Sequence, residues 1–235
     1  MKIVLMQPYF FPYIGYFTLI RHSDVFVVFD TAQYIRRGWV HRNRIVGSNG
    51  EPIYINASVV KAPQNTPIHQ IELSSTLNWK QEILNKIKVY KNIAPHYPEV
   101  YPLIEDSINH PASSLSDLNL HALTRICDYL EVPYNFVRLS ELEIDFNDVR
   151  HPDDWGLKIS QYYKADTYIN APGGQEFYSK EKYKKNDIEM LFYKTKLAAY
   201  DQKLPVFHPA LSIIDVMMFN TKKEIRQMID DFEVL

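Results

Sequence analysis

Ile3-Val4-Leu5-Met6-Gln7-Pro8 and Val25-Phe26-Val27-Val28-Phe29-Asp30 open the chain, and the residues between them decide the fold. Both runs are apolar without alternation, the pattern of a parallel strand covered on both faces. Pro8 closes the first run, because proline cannot donate to a strand ladder. Pro12 suits the first turn of a helix, and Ile14, Phe17, Leu19 and Ile20 give that helix an apolar face before Ser23-Asp24 breaks the pattern. Strand, helix and strand predict a right-handed βαβ unit whose first strand-to-helix turn is the natural place for a ligand.

Further along, residues 31–77 read as an irregular or β-rich insertion holding the alternating stretch Pro52-Ile53-Tyr54-Ile55-Asn56, interrupted later by Pro63 and Pro67. A helix is predicted from an Asn78 cap to Asn92, and another from Ser114 to Glu131 with Leu115, Leu118, Ala122, Ile126 and Leu130 inward. Tyr134-Asn135-Phe136-Val137 reads as a strand, 155–164 as a helix, and Thr167-Tyr168-Ile169 and Ile188 to Tyr193 as strands. Ser212-Ile213-Ile214-Asp215 has a capping-box pattern, and a charged helix 222–231 closes the chain. The alternation predicts an α/β fold with a doubly wound, mostly parallel sheet in one domain, 1–235. Its core covers about 1–30 and 78–170, with the insertion at 31–77 and an α/β extension at 171–235.

Composition narrows the class. With 235 residues, a protein buries roughly 70% of its unfolded surface, enough for a full core. Lys and Arg number 26 against 28 Asp and Glu, so a general nucleic-acid binder is disfavoured, while a local basic patch stays open. The single cysteine, Cys127, cannot form an internal disulfide or a thiolate zinc site. No apolar run reaches the ~20 residues of a membrane span or forms a signal sequence, so a cytoplasmic protein without a membrane partner is expected. Only 7 glycines occur where about 16 are usual, and Gly173-Gly174 is the sole adjacent pair. A phosphate-binding P-loop and the G-x-G-x-x-G fingerprint are therefore absent. Instead 17 Tyr, 12 Phe and 3 Trp must build much of the core and line any pocket.

Four segments carry candidate chemistry. Gln7, Tyr9, Tyr13, Gly15 and Tyr16 lie on the turn after the first strand, where helix N–H groups are free for an anion and Gly15 permits a close approach. The same turn could also serve only to pack aromatic rings against the sheet. Arg36 to Arg44 holds four of the nine arginines, interleaved with Trp39, His41 and Asn43. Arg42 and Arg44 suit phosphate and Trp39 offers a stacking face, with Asp30 and Gln33 just upstream. RNA recognition uses the same residue types and remains an alternative. Gly173 and Gly174 follow the Thr167 strand, where a ligand could approach the backbone or a tight turn could form. Finally, His208 could act as a general base, and Gln202 or Asp215 could hold an amine or hydroxyl, although Ser212 and Asp215 fit helix capping equally well. His22, His96 and His121 show no metal-ligand spacing, and Cys127 reads as core packing.

Tyr13-Ile14-Gly15-Tyr16 stands where the HIGH nucleotidyltransferase superfamily has its H-x-G-H signature, with tyrosine at both histidine positions. The chain as a whole resembles the WbqC-like protein family. Gln7-Pro8-Tyr9, Pro12 to Phe17, Asp24, Asp30, Arg42-Asn43, Asn119, Tyr168, Tyr178, Tyr200-x-Gln202, Phe207-x-Pro209, Leu211-Ser212-Ile213-x-Asp215 and Phe219-Asn220 carry the resemblance. It implies a role in bacterial surface-polysaccharide (O-antigen) synthesis, as an N-acyl or aminoacyl transferase or ligase acting on a nucleotide-linked amino sugar. By analogy with carboxylate-activating HIGH-type enzymes, ATP with Mg²⁺ would supply an acyl-adenylate, and Asp30 or His208 would take the amine's proton. A nucleotidyltransferase-like, RNA-binding or nucleotide-sugar-binding protein without acyl transfer is the alternative.

Overall fold

Alternate residues of each central strand enter opposite apolar layers, which is what the unbroken hydrophobic runs encode. The computed structural model describes every residue except Leu77. Its strands are β1 (Lys2–Met6), β2 (Val25–Val28), β3 (Arg42–Val46), β4 (Pro52–Asn56), β5 (Phe136–Arg138), β6 (Thr167–Asn170), β7 (Glu189–Thr195) and β8 (Phe232–Val234). The helices are α1 (Ile14–Arg21), α2 (Trp79–Ile87), α3 (Tyr97–Asn109), α4 (Leu115–Leu130), α5 (Pro152–Tyr162), α6 (Lys180–Lys184), α7 (Ile213–Phe219) and α8 (Lys222–Asp230).

Six strands form one sheet in the order β5-β2-β1-β6-β7-β8, parallel except for β8. Ile3 to Met6 face Val25 to Val28 on one side of β1, and Lys2 to Val4 face Thr167 to Ile169 on the other. The chain therefore travels outward from β1 through β2 to β5, then returns to the opposite side of β1 for β6 and β7. The reversal lies between β1 and β6, so a crevice opens at their carboxyl ends. Ile3, Leu5, Val25, Val27, Tyr168 and Met190 join the layer covered by α5 and α6. Val4, Phe26, Val28, Ile169 and Tyr193 join the thicker layer that includes α1, α3, α4, α7 and α8. Strands β3 and β4 form a separate antiparallel hairpin, and Ile45, Val46 and Ile55 bury in that same thicker layer. The expected C-terminal extension adds β7 and β8 to the sheet edge. Among the described residues, no helix is long and apolar enough to cross a membrane.

Several boundaries differ from expectation for local reasons. Helix α1 begins at Ile14 rather than Pro12, because Tyr13 is still extended. Helix α2 stops at Ile87, and Lys88–Asn92 tightens into a 3₁₀ turn. Helix α5 begins at Pro152, three residues early, with the Asp154 carboxylate accepting from the Arg150 and His151 N–H groups. Ser212 caps α7 through Ile214 N–H, but the expected reciprocal arm is absent: Asp215 turns instead to Tyr90, Tyr200 and Gln202. Helix α3 was not anticipated; Pro98 sits in its first turn and Pro102 inside it, and packing against α4 and α7 outweighs the cost of the internal proline. Cys127 is fully buried, and burial pushes its thiol pKa up, as core packing requires.

Gly156 marks the tightest contact in the α5 layer. A Cβ there would fall 2.5 Å from both the Tyr168 ring and the Tyr183 hydroxyl. Gly156→Ala is expected to lower stability by about 1–3 kcal/mol despite alanine's better helix propensity, read as a lower urea midpoint.

Candidate active site

The loop from Gln7 to Tyr13 leaves β1 and reaches α1 without regular hydrogen bonds of its own, so other elements must satisfy it. Asn119, fully buried on α4, donates through Nδ2 to the carbonyls of Pro8 and Val40, both at 2.7 Å. Asn43 on β3 donates to the carbonyls of Phe10 (3.1 Å) and Phe11 (2.9 Å). Ser212 Oγ donates to Phe11 O at 2.7 Å, and Ile213 N–H to Pro12 O at 2.8 Å. Phe11 sits at φ 41°, a left-handed conformation that costs a bulky residue about 1–3 kcal/mol, and the two donors on its carbonyl hold it there. Gly15 has its own reason: a Cβ would come within 2.5 Å of the Tyr13 ring, which folds over it.

This loop walls a cavity of about 970 Å³ at the carboxyl ends of β1, β2 and β6. Gln7, Tyr9 and Tyr13 line it from the loop, Phe29 from beyond β2, Trp39 from the segment before the hairpin, and Asn43 and Arg44 from β3. Arg150, His151 and Trp155 enter from the start of α5, and Asn170, Gly173, Gly174, Phe177 and Tyr178 from beyond β6. No aspartate or glutamate is in the lining. The charged groups are two guanidiniums, with one imidazole beside them. The Arg44 guanidinium lies 5.8 Å from the Trp39 ring centre. Arg150 is braced by its own loop, Nη1 donating to the carbonyls of Asn147 (2.7 Å) and Val149 (2.9 Å). Burial raises the hydroxyl pKa of Tyr9, Tyr13 and Tyr178, so all three stay neutral hydrogen-bonding groups. A Cβ on Gly173 would meet nothing within 4 Å, whereas Gly174 accommodates Asn170 and Tyr178 at 3.3 Å.

Of the residues singled out in the sequence, Gln7, Tyr9, Tyr13, Trp39, Asn43, Arg44, Gly173 and Gly174 share this cavity. The others lie outside it, each for a physical reason. Tyr16 is fully buried, its hydroxyl donating to Gln7 O at 2.7 Å, so it supports the loop from beneath. Gly15 is covered by Tyr13. Asp30 is fully buried, and its carboxylate is taken by Ser140 through N–H (3.0 Å) and Oγ (2.6 Å), which removes it as a proton acceptor. His208 donates through Nε2 to Gly50 O in the hairpin turn at 3.0 Å. Gln202 is buried between Asp215 (2.7 Å) and the His208 backbone. Gln33 bonds Gln64 O at 2.8 Å, and His41 packs edge-on against Tyr34. Arg42, two residues along β3 from Arg44, places its guanidinium 4.4 Å over the Tyr54 ring.

Arg150, His151 and Trp155 were missed. The signal was His151-Pro152 at a helix start after the strand that becomes β5; proline at the first helical position would have set the loop before α5 at the same crevice.

Residues 7–227 match the WbqC-like protein family. The chain belongs to that family. It is 25% identical over 225 residues to the uncharacterized protein Rv1507c of Mycobacterium tuberculosis, covering 95% of each chain. No solved structure matches it. In this WbqC-like chain the residues that carry the resemblance divide by role. Gln7, Tyr9, Tyr13 and Tyr178 face the cavity, Asn43 both lines it and braces the loop, and Asp30, Asn119, Gln202, Ser212 and Asp215 form the frame.

Asn119→Ala is expected to strand two buried carbonyls and to cost about 2–4 kcal/mol, measured by urea unfolding. Asp154 has its carboxyl pKa held well below the usual value, first by Lys182 and then by the N–H groups of Arg150 and His151. A depressed carboxyl stabilises the fold above the unfolded value near 4 and loses that contribution as pH falls through the folded one. Asp154→Asn should thus be less stable than wild type at pH 7, with the gap narrowing below about pH 4 in unfolding curves taken across that range.

Proposed function

We propose that this WbqC-like protein is an enzyme of bacterial surface-polysaccharide (O-antigen) synthesis that attaches an amino-acid or other acyl group to the amine of a nucleotide-linked amino sugar. The observation that carries the reading is the cavity itself: about 970 Å³ at the point where the sheet reverses, walled by aromatic rings and containing guanidiniums without any carboxylate. A nucleotide offers a base and a sugar for the ring faces and phosphates for the arginines. Asp30 and His208 are held elsewhere, so His151 becomes the proton acceptor: imidazole suits general-base work near neutral pH, and this one is exposed and lines the cavity.

In the transfer step the neutral amine attacks the acyl carbonyl carbon. A C–N bond forms, the bond from that carbon to the leaving group breaks, and the leaving group departs with the electron pair. The amine's proton passes to His151. With ATP as activator the leaving group is AMP. Among the described residues no cluster of three or more His, Cys, Asp or Glu side chains could hold a metal, so Mg²⁺ would arrive on the phosphates of ATP. The burial of Tyr16 favours a second reading, since it leaves Tyr13 alone of the H-x-G-H pair in the cavity. In that reading the protein binds a nucleotide sugar without activating an acid, and any donor arrives already activated.

The test incubates the protein with ATP, a panel of small acids and nucleotide-linked amino sugars, following pyrophosphate exchange and, by mass spectrometry, the amide. Amide formation is expected, and His151→Gln should lower kcat by about a hundredfold or more while changing sugar-nucleotide affinity little. Absence of exchange with every acid sinks adenylation; absence of amide from activated donors as well sinks acyl transfer.

A further inference from the structure

Resting on that reading, we infer that the cavity is built for a diphosphate, with Arg44 and Arg150 each taking one phosphoryl group of a nucleoside-diphosphate sugar. The two guanidiniums come from independent segments, one on β3 and one in the loop before α5, yet line one space. Neither forms an ion pair among the described residues, unlike Arg21, Arg125, Arg138 and Arg226, which all face carboxylates. Arg44 keeps a buried Nε without a hydrogen-bond partner and leans toward the Trp39 ring. Arg150 spends only Nη1 on the carbonyls of Asn147 and Val149, which orients the planar group and leaves Nε and Nη2 for a ligand.

Charge matching then selects the ligand. A nucleoside-diphosphate sugar carries two phosphodiester-type groups with one negative charge each, equal to the two guanidiniums. A single phosphodiester leaves one guanidinium fork without a phosphoryl partner, and metal-free ATP brings about twice the charge of the two arginines. Arg44 is half-buried and Arg150 exposed, so the preference comes from filling both guanidinium forks rather than from relief of buried charge.

Calorimetric titration of the full chain with UDP-, dTDP-, GDP- and ADP-linked hexoses tests this, with 3′,5′-cyclic mononucleotides as single-charge probes. At least one diphosphate hexose should bind, and more tightly than the cyclic nucleotide of the same base. Arg44→Gln and Arg150→Gln should each weaken it on the order of ten- to a hundredfold. Arg44→Lys and Arg150→Lys should recover part of the loss, since they restore charge without the fork. Arg36→Gln, outside the cavity, should change nothing, and unfolding curves without ligand check that every variant folds. Failure of all four hexoses, equal binding of the cyclic nucleotide, or indifference to either arginine overturns the diphosphate clamp. Binding that needs both arginines but yields no amide would sink acyl transfer and leave the clamp intact; amide formation untouched by loss of Arg150 would do the reverse.

Discussion

Five backbone carbonyls between Pro8 and Val40, buried with no helix or strand to satisfy most of them, impose the constraint on which the site depends. Asn119, Asn43, Ser212 and the Ile213 N–H answer those of Pro8, Phe10, Phe11, Pro12 and Val40. These donors come from α4, β3 and the start of α7, separated in sequence by up to 170 positions from Asn43 to Ile213. A buried carbonyl left without a donor costs about 1–3 kcal/mol, so the loop is rigid only when all three elements are docked. That requirement joins the hairpin and the C-terminal helices to the end of β1. It also keeps Phe11 in a conformation that an isolated loop would abandon.

A second frame supports the first. The Asp215 carboxylate is buried without a cation and accepts from Tyr90 Oη, Tyr200 Oη and Gln202 Nε2 at 2.6 to 2.7 Å. Burial raises its pKa while those three donors pull it back, so the network must stay intact for the charge to be tolerated. Gln202 passes the restraint to His208, whose ring holds the hairpin turn at Gly50. The tip of the hairpin is thus tied at one end while Ser212 N–H bonds Arg44 O at the other, which sets where the Arg44 side chain emerges. Polar groups that look catalytic in the sequence serve here to aim the groups that line the cavity.

The chemistry that remains exposed is sparse. Neutral tyrosines, indole and phenyl faces, two guanidiniums and one imidazole surround a space with no carboxylate. Such walls suit an anionic, ring-bearing ligand better than a cationic one. The acids near the site are withdrawn from it: Asp154 and Asp153 pair with Lys182.

The chain order of the parallel strands, the two-sided burial of β1, β2 and β6, and the aromatic turn after β1 were legible because hydrophobic periodicity and proline placement are local signals. Membership in the WbqC-like family was legible for a similar reason, since its motif is a fixed linear spacing from Gln7 to Asn220. Roles within that motif were not. Arg42 and Arg44 differ by two positions on one strand, and only the neighbouring Tyr54 and Trp39 rings separate them. Asp30 looked available until Ser140, more than a hundred residues away, occupied it. Sequence alone determined which strands are buried and where the crevice opens, because those follow from patterns along the chain. Tertiary structure alone decided which side chains face the crevice, because that depends on partners brought together from distant segments.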